Sequence, residues 1–385
     1  MRFLLAAAIF QLALAAIPAE PPPWTMGLHT SMDQVLSIGP GGKNGVVAAR
    51  GAQRLGTLPP AALFSIFEGF EHANPLAANL LRTSVETIAD RAAASNSPLP
   101  TEGLAGMLNE PGDWDPRARR LAYELLLHFD PSAAKELLPG LITDPNPELR
   151  RDAVAHWMAV AKGHRDANED DEARKAYETA LGGAIDDDQV RPIVTALETY
   201  GIEVDLPRHF GFITHWQVIG PFDNRGNAGF NAVYPPETAY SPAKGVDLEA
   251  RYEGQLADVG WKPISTESDY GIIDIARTFE NYKGSAMYLV TTIESDEPQD
   301  VEFRLGTQNA WKLWLNGEFL FGREEYHRGM IMDQHRIAGR LKSGNNVLLM
   351  KLLQNEQDED WAQSYNFQLR ITDPTGRAVP AAKSE

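Results

Sequence analysis

The sequence predicts a chain that is helical first and β-stranded second. From residue 28 to about 205, apolar residues recur at spacings of three and four in segments rich in Ala, Leu, Glu and Arg. That is the pattern of amphipathic helices. From Ile213 onward the chain carries short β-branched and aromatic runs cut by Gly, Pro, Asn and Asp, as in an all-β sandwich or barrel. Tryptophan usage changes with it: five of the eight, Trp216, Trp261, Trp311, Trp314 and Trp361, fall in the second part. The junction is expected near 205–212.

The first element is "MRFLLAAAIFQLALAAIPAE". Arg2 supplies a positive start, Phe3 to Ala16 is apolar with one break at Gln11, and small residues allow cleavage after Ala15 or Ala19. This is the layout of a secretory signal peptide over residues 1–19. The other reading is an uncleaved anchor, but the run is shorter than the roughly 20 residues a spanning helix needs. We therefore expect a secreted or periplasmic protein with no membrane span after cleavage. There is no cysteine, which excludes disulfides, thiol catalysis and cysteine-ligated metal sites. Net charge is −18, with 53 acidic and 35 basic residues. That argues against nucleic acid as a partner, because binding to it requires cations on phosphates, and against anionic membrane surfaces.

A helical domain is expected over 20–209. Its segments are "PPAALFSIFEGFEH" (Pro59–His72), "NPLAANLLRTSVETIADRAAAS" (Asn74–Ser95), "DPRARRLAYELLLHF" (Asp115–Phe129), "NPELRRDAVAHWMAVA" (Asn146–Ala161) and "DDEARKAYETALGGA" (Asp170–Ala184). Several open with Asp or Asn and then Pro. That is a capping side chain followed by Pro at the first helical position, where a missing N–H costs nothing. Two segments repeat one another, matching at Pro116/Pro147, Arg119/Arg150, Arg120/Arg151 and Ala122/Ala153, 31 residues apart. A second helix, Pro131–Ile142, lies between them. Helix pairs at a fixed period signal a solenoid. The Asp/Asn-Pro start with its internal Arg resembles HEAT repeats, although the period is shorter than the roughly 40 residues usual there. "NPLAANLLR" at Asn74 looks like a diverged copy, and "DDEARKAYETAL" is similar to a tetratricopeptide helix. The resemblance implies an α-solenoid offering a broad surface to a protein partner. An irregular helical domain is the other reading.

A β-sandwich is expected over 210–378, with a flexible tail at 379–385. Strand "AMYLVTTIES" is followed by "QDVEFRLGTQNAWKLWLNGEFLF", then by a loop into "MDQHRIAGRLKSGNNVLLMKLLQ", and last by "YNFQLRITD". On the hairpin Leu313–Gly317 and the strand Leu341–Leu352, this resembles the galactose-binding-like jelly roll over about 90 residues. The upstream His215–Glu237 is similar to a segment that precedes this jelly roll in secreted bacterial proteins with helical repeats. The resemblance implies a fold that binds sugars in some proteins and only packs against neighbours in others.

The hairpin also reads physically. Asn316-Gly317 fits a two-residue type I′ turn, in which both positions need positive φ. Leu315 then faces Glu318, Trp314 faces Phe319, and Leu313 faces Leu320. One face carries Trp311, Leu313, Leu315 and Leu320, and the other carries Lys312, Trp314, Phe319 and Phe321. A free-standing sheet keeps one face polar, so both faces here should be covered. The Trp314 face is either packed, with "WQVIGPF" as the cover, or left for a ligand. Nearby, "REEYHRGMIMDQHR" holds His327 and His335 among Arg328, Asp333 and other charges. It is either a salt-bridged loop or a small polar site. Trp314, Phe319, Phe321, Arg323, His327, Arg328 and Asp333 are the candidate binding residues.

Other motifs are lookalikes. "GPGGKNG" (Gly39–Gly45) lacks the first Gly, the Ser/Thr and the preceding strand of a phosphate loop. "DANEDDEARKAY" (Asp166–Tyr177) has Asp171 where a calcium loop needs Gly and Tyr177 where it needs Glu. Neither G-x-S-x-G nor H-E-x-x-H occurs. No catalytic residue, cofactor or metal site is expected. The reading is a non-catalytic binding or scaffold protein that takes protein through its helices and a polysaccharide or other glycan through its sandwich. The alternative is a carbohydrate-active enzyme, of glycoside hydrolase or lyase type, with its site in the β domain.

Overall fold

The computed structural model describes residues 22, 24–110, 112, 114–241 and 245–379. The expected signal peptide lies outside the described residues. The chain forms two compact units, Met1–Leu141 and Ile142–Glu385. Helices give way to strands between Phe210 and His215, so several helices share the second unit with all the sheets. No helix among the described residues is long and apolar enough to cross a membrane.

The first unit is helical. It contains α1 (Thr25–Leu36), α2 (Gly45–Leu55), α3 (Leu63–Glu68), α4 (Pro75–Ala94), α5 (Thr101–Asn109), α6 (Pro116–Phe129) and α7 (Pro131–Leu137). The Asx-Pro starts act as caps. Asn74 Oδ1 accepts from the N–H groups of Leu76 and Ala77, both at 3.0 Å. Asp115 Oδ1 accepts from Arg117 N–H at 2.8 Å. "PPAALFSIFEGFEH" is not one helix: α3 is short and flanked by 3₁₀ turns at Pro60–Ala62 and Gly69–His72. Paired prolines at its start and Gly69 within it weaken α-helical continuation. "GPGGKNG" is the turn between α1 and α2. Arg119, inside α6, is fully buried. It donates to the carbonyls of Leu108 at 2.9 Å and Glu110 at 3.2 Å, which fastens the end of α5.

The second unit opens with α8 (Pro147–Asp166), α9 (Asp170–Gly183), α10 (Asp187–Glu198) and α11 (Leu206–Phe210). Asn146 caps α8 through Glu148 and Leu149 N–H, both at 2.9 Å. The calcium-loop lookalike is the start of α9, with Asp170, Asp171 and Glu172 in its first turn, where the helix dipole favours carboxylates. Arg150, the repeat counterpart of Arg119, is also buried. It donates to the carbonyls of Asp144 at 3.1 Å and Thr375 at 2.5 Å. In both copies of the repeat, the internal arginine turns its donors onto backbone carbonyls.

The strands are β1 (His215–Asp223), β2 (Arg251–Glu253), β3 (Asp258–Gly260), β4 (Lys262–Ser265), β5 (Ile273–Asp274), β6 (Ser285–Ser295), β7 (Gln299–Thr307), β8 (Ala310–Leu315), β9 (Glu318–Arg323), β10 (His335–Leu341), β11 (Gly344–Gln354) and β12 (Asn366–Thr372). They form antiparallel sheets ordered β4-β1-β6-β11-β8-β9 and β10-β7-β12-β5, with β2-β3 as a small ribbon. One core joins the two large sheets, with Trp216, Met287, Leu313 and Met350 from the first and Phe303, Ile337 and Leu369 from the second. This is a β-sandwich. Of the expected tail only Val379 is described; it is buried and its N–H bonds the Ile371 carbonyl at 3.0 Å.

The outer face of the six-stranded sheet is apolar as well, as the hairpin predicted. Ile219, Tyr288, Val290, Trp314 and Leu349 cluster there with Phe230, Tyr234, Val246, Tyr252 and Trp261. The expected cover, "WQVIGPF", is corrected. It is part of β1, whose backbone groups pair with β4 and β6, so it lies within the sheet and cannot lie over it. The cover comes from the residues that follow β1. One of them, Glu237, accepts from Lys351 Nζ at 2.8 Å and from the Tyr288 hydroxyl. Burial pulls the Lys351 ammonium below its ordinary pKa, and its bond to Glu237 opposes that shift.

The helices of the second unit are fastened to the sandwich. The Phe210 ring stacks on Tyr270 at 5.9 Å, and Arg370 Nη1 donates to the Phe210 carbonyl at 3.2 Å. A fragment spanning 142–385 is therefore expected to unfold in one transition, with far-UV and tryptophan signals coincident. A fragment spanning 211–385 should unfold at clearly lower urea. Equal midpoints for the two fragments would show that α8–α11 are dispensable to the sandwich.

Candidate functional site

The hairpin turn has φ of 52° at Asn316 and 83° at Gly317, as type I′ requires. The Tyr240 ring packs on this turn, and a β-carbon at Gly317 would lie 2.3 Å from it. Leu315 pairs with Glu318 and Trp314 with Phe319, but Leu313 then pairs with Phe321. Leu320 is the extra residue of a bulge, so the expected Leu313/Leu320 pairing and the expected face for Phe321 are corrected. A bulge lets two neighbours share a side. Leu320 packs toward the sandwich core, and Phe321 lies beside Trp311 at 6.0 Å between ring centroids.

The candidate binding residues fall in separate places. Trp314 is only 8% exposed, within the covered outer face. Phe319 meets its ring edge-on at 5.6 Å and is 52% exposed, while Phe321 is 53% exposed. Arg323 and Arg328 are exposed, and Arg323 Nη2 pairs with Glu325 at 2.8 Å. Asp333 lies in the turn before β10 and reaches the other sheet, between Arg304 Nη1 at 2.8 Å and Arg370 Nη2 at 2.6 Å. His327 stands at one end of the sandwich.

That end is built from amides. Asn224 Nδ2 donates to the Gln354 carbonyl at 3.0 Å and the Tyr326 hydroxyl at 3.1 Å. Asn309 Nδ2 donates to Gln354 Oε1 at 3.2 Å. Gln354 Nε2 donates to the Ala362 carbonyl at 3.1 Å, as does Lys283 Nζ at 2.8 Å. Burial pushes the Tyr326 hydroxyl up and the Lys283 ammonium down, with Asp358 and Glu359 opposing the latter. These bonds hold the single turn Asp360–Ala362.

On that turn, Trp361 is 58% exposed. Its indole meets the His327 ring edge-on at 5.1 Å. His327 Nε2 lies 2.9 Å from Asn355 Oδ1. Asn355 Nδ2 donates to Gln357 Oε1 at 2.9 Å, and its Oδ1 accepts from the Gln357 N–H at 3.2 Å. Gln357, Asp358, Glu359 and Asp360, which precede Trp361 in the chain, are exposed. The arrangement is a flat, exposed aromatic on a turn held by hydrogen bonds, with amide and carboxylate residues next to it in the chain. It can stack a ligand and hydrogen-bond its edge.

Sequence reasoning reached His327 but missed Trp361, Asn355 and Gln357. The available signal was "QNEQDEDWAQSYN", where one tryptophan sits in a polar run between two strands. Among the described residues, no group of three or more His, Asp or Glu is placed to hold a metal ion.

No protein-family model matches the chain, and no curated protein matches it. Among solved structures, a beta-glucosidase from Kluyveromyces marxianus in complex with glucose aligns with 43% of this chain and 17% of its own, at 11% identity and TM-score 0.24. A GH31 alpha-xylosidase from Xanthomonas citri aligns with 43% of this chain and 18% of its own, at 14% identity and TM-score 0.22. The chain thus spans less than a fifth of either glycosidase. The Pseudomonas fluorescens alkylpurine DNA glycosylase AlkC, bound to DNA containing an abasic site analog, aligns with 92% of this chain and 95% of its own, at 10% identity and TM-score 0.19. At such TM-scores none of these likenesses carries an argument.

Proposed function

We propose that this is an exported, non-catalytic binding protein whose β-sandwich takes carbohydrate on Trp361. One observation carries the reading: a large aromatic is more than half exposed on a turn that an amide network fixes from beneath. An immobile aromatic loses little conformational freedom when a sugar face stacks on it, and adjacent polar groups set orientation. Export rests on the N-terminal sequence. Recurrence of the buried repeat arginine supports HEAT-like helix pairs that offer a surface to a protein partner. Two antiparallel sheets around one core support the jelly-roll reading.

The test is titration of a panel of neutral and uronic-acid oligosaccharides, followed by tryptophan fluorescence and calorimetry. Trp361→Ala is expected to weaken binding at least tenfold, about 1.4 kcal/mol, and to leave the unfolding midpoint unchanged. If Phe319→Ala abolishes binding and Trp361→Ala does not, the platform is the hairpin. If no oligosaccharide binds, the carbohydrate reading fails. Release of shorter products during the titration would favour the enzyme.

A further inference from the structure

Within the second unit, α8 and α10 leave a groove of about 730 Å³ between them. Its floor is apolar and comes from Met158, Tyr177 and Ala196. Its rim carries Lys162 and Arg165 from α8 and Arg191 from α10, and no carboxylate is among the residues that line it. Arg191 is held in place by Asp187 at 3.1 Å, and its guanidinium lies 4.9 Å from the centre of the Tyr270 ring. Arg165 reaches its neighbour Asp166 only at 3.9 Å. In a chain of net charge −18, the lining of this trough carries three cations and no carboxylate, with Asp187 and Asp166 standing outside it beside two of them.

We propose that this groove docks an acidic amphipathic segment of a protein partner. The apolar floor takes side chains spaced as on one face of a helix, the helix-in-groove mode. The rim pairs with Asp or Glu flanking that face. Such rim pairs set partner choice and association rate more than they add affinity, and they weaken with salt. This site is independent of the sugar platform at Trp361, so either can fail without the other.

A random peptide library displayed on phage tests it, panned on the full chain and counter-selected on Thr195→Trp. Thr195 lines the groove and is exposed, so a bulky uncharged side chain there fills the trough from the solvent side without adding a cation. An unchanged unfolding midpoint for this variant confirms that the fold is intact. The expected winners carry Asp or Glu beside Leu, Ile or Phe. A synthetic copy of the leading peptide should lose at least tenfold in affinity to Lys162→Glu/Arg165→Glu and between low and high salt, and none to Trp361→Ala. Failure to recover Thr195-sensitive peptides, winners rich in Lys or Arg, or affinity unchanged by the charge reversal would each overturn the proposal.

Discussion

Replacing Asp333 with alanine is expected to destabilise the second unit by about 3–5 kcal/mol, the range for removing one partner of a buried ion pair. The strand register makes the carboxylate necessary. Arg336, Arg304 and Arg370 stand directly opposite one another across β10, β7 and β12. Like charges in opposed positions repel, and the side chains of Arg304 and Arg370 are only 7% and 3% exposed. Asp333 Oδ2 accepts from both, and its Oδ1 accepts from Arg370 Nε at 2.7 Å. Glu302 at 2.8 Å gives Arg304 a second partner. Without Asp333, Arg370 keeps the Phe210 carbonyl, which carries no full charge.

The same site sets an acid limit. Burial alone would raise the Asp333 carboxyl, but the bonds and charges of Arg370 and Arg304 outweigh it and hold it below the usual range. A carboxyl with a depressed folded-state pKa contributes stability that is complete above its unfolded value of about 3.9 and is lost as pH falls through the folded one. Urea midpoints measured from about pH 7 down to about pH 3 should therefore fall more steeply for the wild type than for Asp333→Asn. Parallel profiles, or an Asp333→Ala midpoint near that of the wild type, would refute this account of the network.

These contacts mark the limit of what was legible. Asp and Asn caps, the type I′ turn and the two apolar faces of the hairpin depend on neighbours within a few residues, so the sequence displayed them. The repeat arginines were visible as a recurrence, and their burial could be read only from the fold. Asp333 looked like one charge among several in a polar loop. Its partners lie 29 and 37 residues away, and nothing local distinguishes it from Arg328, which is exposed. Trp361 was hidden for the opposite reason. Its exposure depends on a loop that bonds Gln354, Lys283 and Ala362, and no periodicity encodes that. The bulge at Leu320 moved Phe321 to the other side because edge strands accept an extra residue without a sequence signature.

Trp314→Ala is expected to cost about 3–5 kcal/mol, as for other large aromatics removed from a core. Trp314 lies opposite Leu349, which lies opposite Val290, and these side chains belong to the covered outer face. Removing the indole leaves a cavity in a layer that also holds Tyr234, Tyr252 and Trp261. The strands beneath are held by backbone bonds and cannot collapse into it. Phe319→Ala is the control. It keeps the hairpin and removes a half-exposed ring whose edge contact is worth about 1 kcal/mol, so it should shift the unfolding midpoint far less. Trp314→Phe should recover part of the loss, because it restores apolar volume without the indole. Measured by urea unfolding with near-UV circular dichroism, a Trp314→Ala variant as stable as Phe319→Ala would show that the outer face is loosely covered. The indole would then be free to meet a ligand, and the sugar platform would have to be sought at the hairpin as well as at Trp361.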